Sequence, residues 1–121
     1  MTTLDILKQA KAAKIELAKL GSEDKNNALL AMADALRENC AAILEENKKD
    51  VEAARGKITD VMIDRLSLDE GRIKGMADGI RDVVKLPDPV GRVLSRVELS
   101  NGLIVEKTAV PMGVVAIIYE S

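Results

Sequence analysis

Apolar residues change from a helical to an extended spacing along this chain, and the change falls at Leu86-Pro87-Asp88-Pro89. Before that point they return every three or four positions, the repeat of a helix face; after Gly91 they alternate, the repeat of a strand. Two prolines, which have no backbone N–H to donate, separate the two regimes. The expected order is therefore a helical block feeding the first strands of an α/β domain.

Within the helical part, a first helix is expected over residues 3–20. Ile6, Ala10, Ala13, Leu17 and Leu20 share one face, Thr2 or Thr3 can cap the start, and Gly21 tolerates the left-handed turn that follows many helices. Ser22, backed by Glu23 and Asp24, opens a second helix with the stripe Leu29, Met32, Leu36, Cys40 and Ile43. A break is expected near Asn39 or Asn47, and a stop at Gly56. Thr59 and Asp60 cap a short turn that runs to Leu66. Ser67-Leu68-Asp69-Glu70 then has the Ser-x-x-Glu form of a capping box and is the best-marked helix start in the chain. The helix it opens carries Ile73, Met76, Ile80, Val83 and Val84 on one face. Gly71, Gly75 and Gly79 recur on its flank, where each glycine costs about 1 kcal/mol relative to alanine, so close approach by a second element is expected there. This is not the G-x-G-x-x-G phosphate loop, which belongs between a strand and a helix.

In the extended part, Val93, Ser95, Val97 and Leu99 alternate with Leu94, Arg96 and Glu98. Ser100-Asn101-Gly102 supplies turn chemistry, and residues 103–110 run extended again, the pattern of a β-hairpin. After Pro111-Met112-Gly113, the continuous apolar run of residues 114–119 reads as a parallel strand covered on both faces. Such a strand needs neighbours joined by long crossovers, which leads to the expectation that the natural protein continues beyond Ser121.

Composition narrows the function. The apolar fraction is 47%, with no Phe or Trp and one Tyr, so any core must be aliphatic. Eighteen basic against twenty acidic residues give a net charge of −2, far from the positive field that nucleic-acid binding needs. No stretch reads as a membrane span or a secretory signal, and one cysteine argues for a reducing compartment, with cytoplasm as the default. The absence of histidine removes the usual general base and the commonest zinc ligand. No catalytic residue and no metal ligand is assigned.

Cys40 shares a stripe with Leu36 and Ile43 and reads as a core or near-core thiol rather than a nucleophile. The helical charges read as solvated faces, and Asp64 with Arg65 as a structural ion pair. Ile118-Tyr119-Glu120-Ser121 is the strongest local pointer, because ligands in open α/β sheets bind beyond the carboxyl ends of strands.

Several motifs taken in order resemble a known family. Leu86-Pro87-Asp88-Pro89-Val90-Gly91-Arg92-Val93, Asn101-Gly102-Leu103, Glu106-Lys107, Val110-Pro111-Met112-Gly113-Val114 and Ile117-Ile118-Tyr119-Glu120-Ser121 are similar to the N-terminal part of the γ-glutamyl phosphate reductases, in the aldehyde dehydrogenase superfamily. Leu29-Leu30-Ala31-Met32-Ala33-Asp34-Ala35-Leu36 and Asp64-Arg65-Leu66 ahead of Arg72-Ile73 extend the similarity upstream.

The resemblance implies NADPH-dependent reduction of γ-glutamyl phosphate to glutamate 5-semialdehyde in proline biosynthesis, by a cytoplasmic homo-oligomer. It implies an aldehyde dehydrogenase-like α/β fold. Residues 1–90 would be the helical part of the cofactor domain, 91–110 a hairpin used for subunit association, and 111–121 the first strand of the nucleotide-binding sheet. Ile118, Tyr119, Glu120 and Ser121 match a cofactor-lining segment. The family's nucleophilic cysteine lies downstream and Cys40 does not match it, so the chain is expected to be inactive alone. A rival reading is a non-catalytic interaction module of helices and hairpin. A third, the reductase half of a bifunctional pyrroline-carboxylate synthase, is disfavoured by Met1 opening directly onto the first helix.

Overall fold

The computed structural model describes residues 2–118, which form five helices and then a two-stranded antiparallel sheet. The chain divides into two compact units. One combines the chain up to Ser22 with Pro87–Ile117, and the other is built on Glu23–Leu86.

In the first unit, helix α1 spans Thr3–Leu17. A full capping box starts it: the Thr2 hydroxyl accepts from the Asp5 amide at 3.2 Å, and the Asp5 carboxylate accepts from the Thr2 amide at 2.9 Å. The helix ends three residues before the expected Leu20 because its last turn tightens. Lys19 N bonds Glu16 O and Leu20 N bonds Leu17 O, both three-residue closures. The expected apolar stripe is not a buried one here, since Ile6 and Leu17 are more than half exposed and α1 has no buried residue.

The hairpin of the same unit forms where the alternation placed it, with β1 at Val93–Glu98 and β2 at Ile104–Thr108. Val97 stands opposite Val105 and Arg96 opposite Glu106, the latter pair closing an ion pair at 3.4 Å. A register shift between Val93 and Ser95 marks a bulge at Leu94, which the plain alternation did not announce. Beyond the strands, Gly91 N to Ala109 O and Ala109 N to Arg92 O continue the ladder at 2.9 Å. Both strands are exposed on both faces.

In the second unit, α2 (Ser22–Glu38) and α3 (Cys40–Ala54) are separated at Asn39, one of the two sites expected for a break. The Asn39 side chain donates to the Ala35 carbonyl at 2.8 Å, a local bond that competes with regular helix geometry. Gly56, at φ 73°, takes the left-handed position after α3. Thr59 caps α4 (Asp60–Leu66) as expected.

Helix α5 (Glu70–Val84) starts later than the sequence suggested. Its cap is Asp69, whose carboxylate accepts from Arg72 N at 2.7 Å, while the Ser67 hydroxyl instead bonds back to Ile63 O at 2.7 Å. The buried face also differs from the expected one: Ile73 and Ala77 are fully buried, whereas Met76 is 42% exposed. Together with Ala33 of α2, these are the buried apolar residues of the described chain. The close approach by a second element expected at the α5 glycines is not found: a Cβ at Gly75 or Gly79 would find nothing within 4 Å, and one at Gly71 would meet only the capping Asp69 carboxylate, at 3.1 Å.

The largest departure concerns residues 114–118. They are irregular and exposed rather than a covered strand. Strand geometry is held by a partner's N–H and C=O groups, and among the described residues β1 and β2 pair with each other and with no third strand.

Candidate functional site

The expected cofactor-lining segment is approached through Pro111, Met112 and Gly113, the last at φ 100°. Ile118 is the one member of that segment within the described residues and is 99% exposed; Tyr119, Glu120 and Ser121 lie outside them. Ile118 offers an aliphatic surface, and residues 111–118 contain no charged side chain to receive a phosphate. Of the expected cofactor-lining set, the described residues thus include this one apolar side chain.

Cys40 is half-buried at the start of α3, beside a shallow groove of about 400 Å³ that also exposes Arg37, Glu38, Glu70 and Lys74. The groove thus carries two cations and two anions, and the chain has no histidine to act as a base. Among the described residues no group of three or more His, Cys, Asp or Glu could hold a metal ion, and no helix is long and apolar enough to cross a membrane.

What the polar side chains of the second unit do is hold helices in place. Asn47 of α3 uses both ends of its amide on the α4–α5 connector, donating to Leu66 O at 2.9 Å and accepting from Leu68 N at 2.7 Å. From the other side, Arg72 donates to the carbonyls of Ser67 and Asp64 and pairs with the Asp64 carboxylate at 2.9 Å. The expected Asp64–Arg65 pair is thus replaced by Asp64–Arg72. Arg81 joins α5 to α2 through Asp34 at 2.7 Å and also contacts Asp78 at 3.2 Å. The bond to Asp34, first, and then Asp78 raise the Arg81 pKa; the bond from Lys74 and, less, Arg81 lower that of Asp78. The sequence marked Asn47 as a site for a helix break and Arg72 by the family resemblance, but nothing in it pointed to their bonds to the connector, because neither repeats with a spacing that names its partner.

Helices followed by an antiparallel hairpin, with exposed apolar surface on both, are what a portion of an aldehyde dehydrogenase-like α/β enzyme contributes, and two solved structures share the arrangement. One, from Thermotoga maritima, superposes with a TM-score of 0.87 at 34% identity over 89% of this chain and 26% of its own. The other, from Saccharomyces cerevisiae, gives 0.82 at 35% identity over 92% of this chain and 29% of its own. Both are γ-glutamyl phosphate reductases. Curated proteins of that name are more similar in sequence: 51% identical over 98% of this chain in Carboxydothermus hydrogenoformans, and 54% over 93% in a Streptococcus pneumoniae strain. The chain matches no protein-family model. It is related over nearly its whole length to the γ-glutamyl phosphate reductases, and it spans 29% and 27% of the two curated relatives.

Proposed function

We propose that this chain supplies the N-terminal part of a reductase that converts γ-glutamyl phosphate to glutamate 5-semialdehyde in proline biosynthesis, with NADPH as hydride donor. The observation that carries the proposal is 51–54% identity to reductases over 93–98% of the chain. In that reaction a thiolate displaces phosphate to give a thioester, and hydride reduces it; dividing one hard step in two is the advantage of covalent catalysis. Cys40 is not that thiolate in this reading, since it has no histidine partner in the chain and stands beside a groove of mixed charge at the start of α3. The chain's own contribution is scaffolding: the α2–α5 block braces the cofactor domain, and residues 111–121 supply its first strand, with Ile118, Tyr119, Glu120 and Ser121 lining the nicotinamide nucleotide.

The hairpin of β1 and β2 is read as a surface for subunit association in a cytoplasmic homo-oligomer. Exposure of both of its faces and the Val97–Val105 pair on one of them support this reading. The test is a chimera in which this chain replaces the matching region of the Streptococcus pneumoniae relative. Reductase activity with NADPH close to that of the parent is expected. A folded chimera without activity would overturn the proposal.

A further inference from the structure

The hairpin turn carries chemistry that the reductase reading does not use. Asn101 is exposed at its tip and is followed by Gly102, at φ 81°, around which a Cβ would meet nothing within 4 Å. We propose that Asn101 is a site of spontaneous self-modification, deamidating through a cyclic imide formed with Gly102.

The reaction uses atoms already in the turn. The Gly102 backbone nitrogen attacks Cγ of Asn101; the new N–Cγ bond closes a five-membered ring, the Cγ–Nδ2 bond breaks, and ammonia leaves with the proton from the Gly102 nitrogen. Water then opens the imide. Cleavage at Cγ gives aspartate, and cleavage at the main-chain carbonyl gives isoaspartate, which lengthens the backbone by one methylene. No oxidant or cofactor is consumed.

Two features favour this asparagine over the others. Glycine places no side chain beside the attacking nitrogen, whereas Asn26, Asn27, Asn39 and Asn47 precede Asn27, Ala28, Cys40 and Lys48. Asn26, Asn27 and Asn47 also lie inside helices, and Asn39 and Asn47 have their amides bonded to main-chain carbonyls at 2.8 and 2.9 Å. One bond opposes the reaction: the Gly102 N–H donates to Leu99 O at 2.8 Å. That bond must open, and a two-stranded sheet exposed on both faces is marginal in water, so its tip opens at small cost.

The product alters the hairpin. A neutral amide that accepts from Leu103 N at 3.1 Å becomes a carboxylate, and the isoaspartate form adds length between Leu99 and Leu103, which close the turn through a 2.9 Å bond. Register in a hairpin is fixed by its turn, so the Val97–Val105 pairing loosens with it.

The test is incubation of the intact protein at physiological temperature and mildly alkaline pH, followed by peptide mapping with isoaspartate detection. Residue 101 is expected to convert several-fold faster than residues 26, 27, 39 and 47. Its rate should rise with pH, because the attacking nitrogen must lose its proton, and Asn101→Gln should abolish conversion at that position. Retention of asparagine at 101, at a rate no higher than at the other four positions, would overturn the proposal, whether or not the same chain converts in denaturant.

Discussion

Asn47 holds the α4–α5 connector by both ends of one side-chain amide, and Arg72 holds the same connector from α5. Removing Asn47 leaves a part-buried carbonyl and N–H without their partners, a loss of about 1–3 kcal/mol. Asn47→Ala is therefore expected to lower the urea midpoint measurably. Asn47→Asp should recover only the bond from Leu68 N, because a carboxylate cannot donate to Leu66 O. At the other end of the chain, Asp5 has its carboxyl held below its ordinary value of 3.8, by the Thr2 amide first and the Thr2 hydroxyl second. A depressed carboxylate contributes stability above its unfolded pKa and loses it as pH falls through the folded one. The first turn of α1 should accordingly fray below about pH 3.8, read from the amide shifts of residues 3–6, and Asp5→Asn should remove that pH dependence.

At the level of elements, the glycines of α5 give a prediction of definite sign. Open space at Gly75 and Gly79 means that alanine there gains helix propensity without a clash, so each of Gly75→Ala and Gly79→Ala should stabilise this chain by about 0.8–1 kcal/mol in denaturant melts. Gly56→Ala should act oppositely, losing about 1–2 kcal/mol, because φ 73° is a left-handed conformation.

Period and punctuation made the elements legible. The proline pair, the stop at Gly56, the cap at Thr59, the Asn39 break and the hairpin turn all lay where local chemistry put them. Local chemistry was less able to choose between two adjacent caps, and Asp69 displaced Ser67 because the hydroxyl found the Ile63 carbonyl four residues back. The strand expected over residues 114–119 was the least legible from this chain alone, since a strand is a property of a pair and the run carries no information about its partner. The candidate site suffers the same way: its position at a strand end could be read, but the one described member, Ile118, has nothing around it to define a pocket.

Taken whole, the described residues bury Ala33, Ile73 and Ala77 while leaving many large apolar side chains open, among them Val110, Met112, Val115 and Ile117. Apolar surface of this extent marks an interaction surface or an association hazard. Sedimentation of the purified chain should show concentration-dependent association, and the double variant Val115→Lys, Ile117→Lys should reduce it. A strictly monomeric chain at all concentrations would argue for a self-sufficient module instead.

The chain is similar to about a quarter of an enzyme, and its proposed role is scaffolding without a nucleophile. The direct measurement is an assay of the purified 121-residue chain in the reverse direction, with glutamate 5-semialdehyde, phosphate and NADP⁺, following NADPH. A rate indistinguishable from the protein-free blank is predicted. Turnover above that blank, abolished by Cys40→Ser, would contradict it.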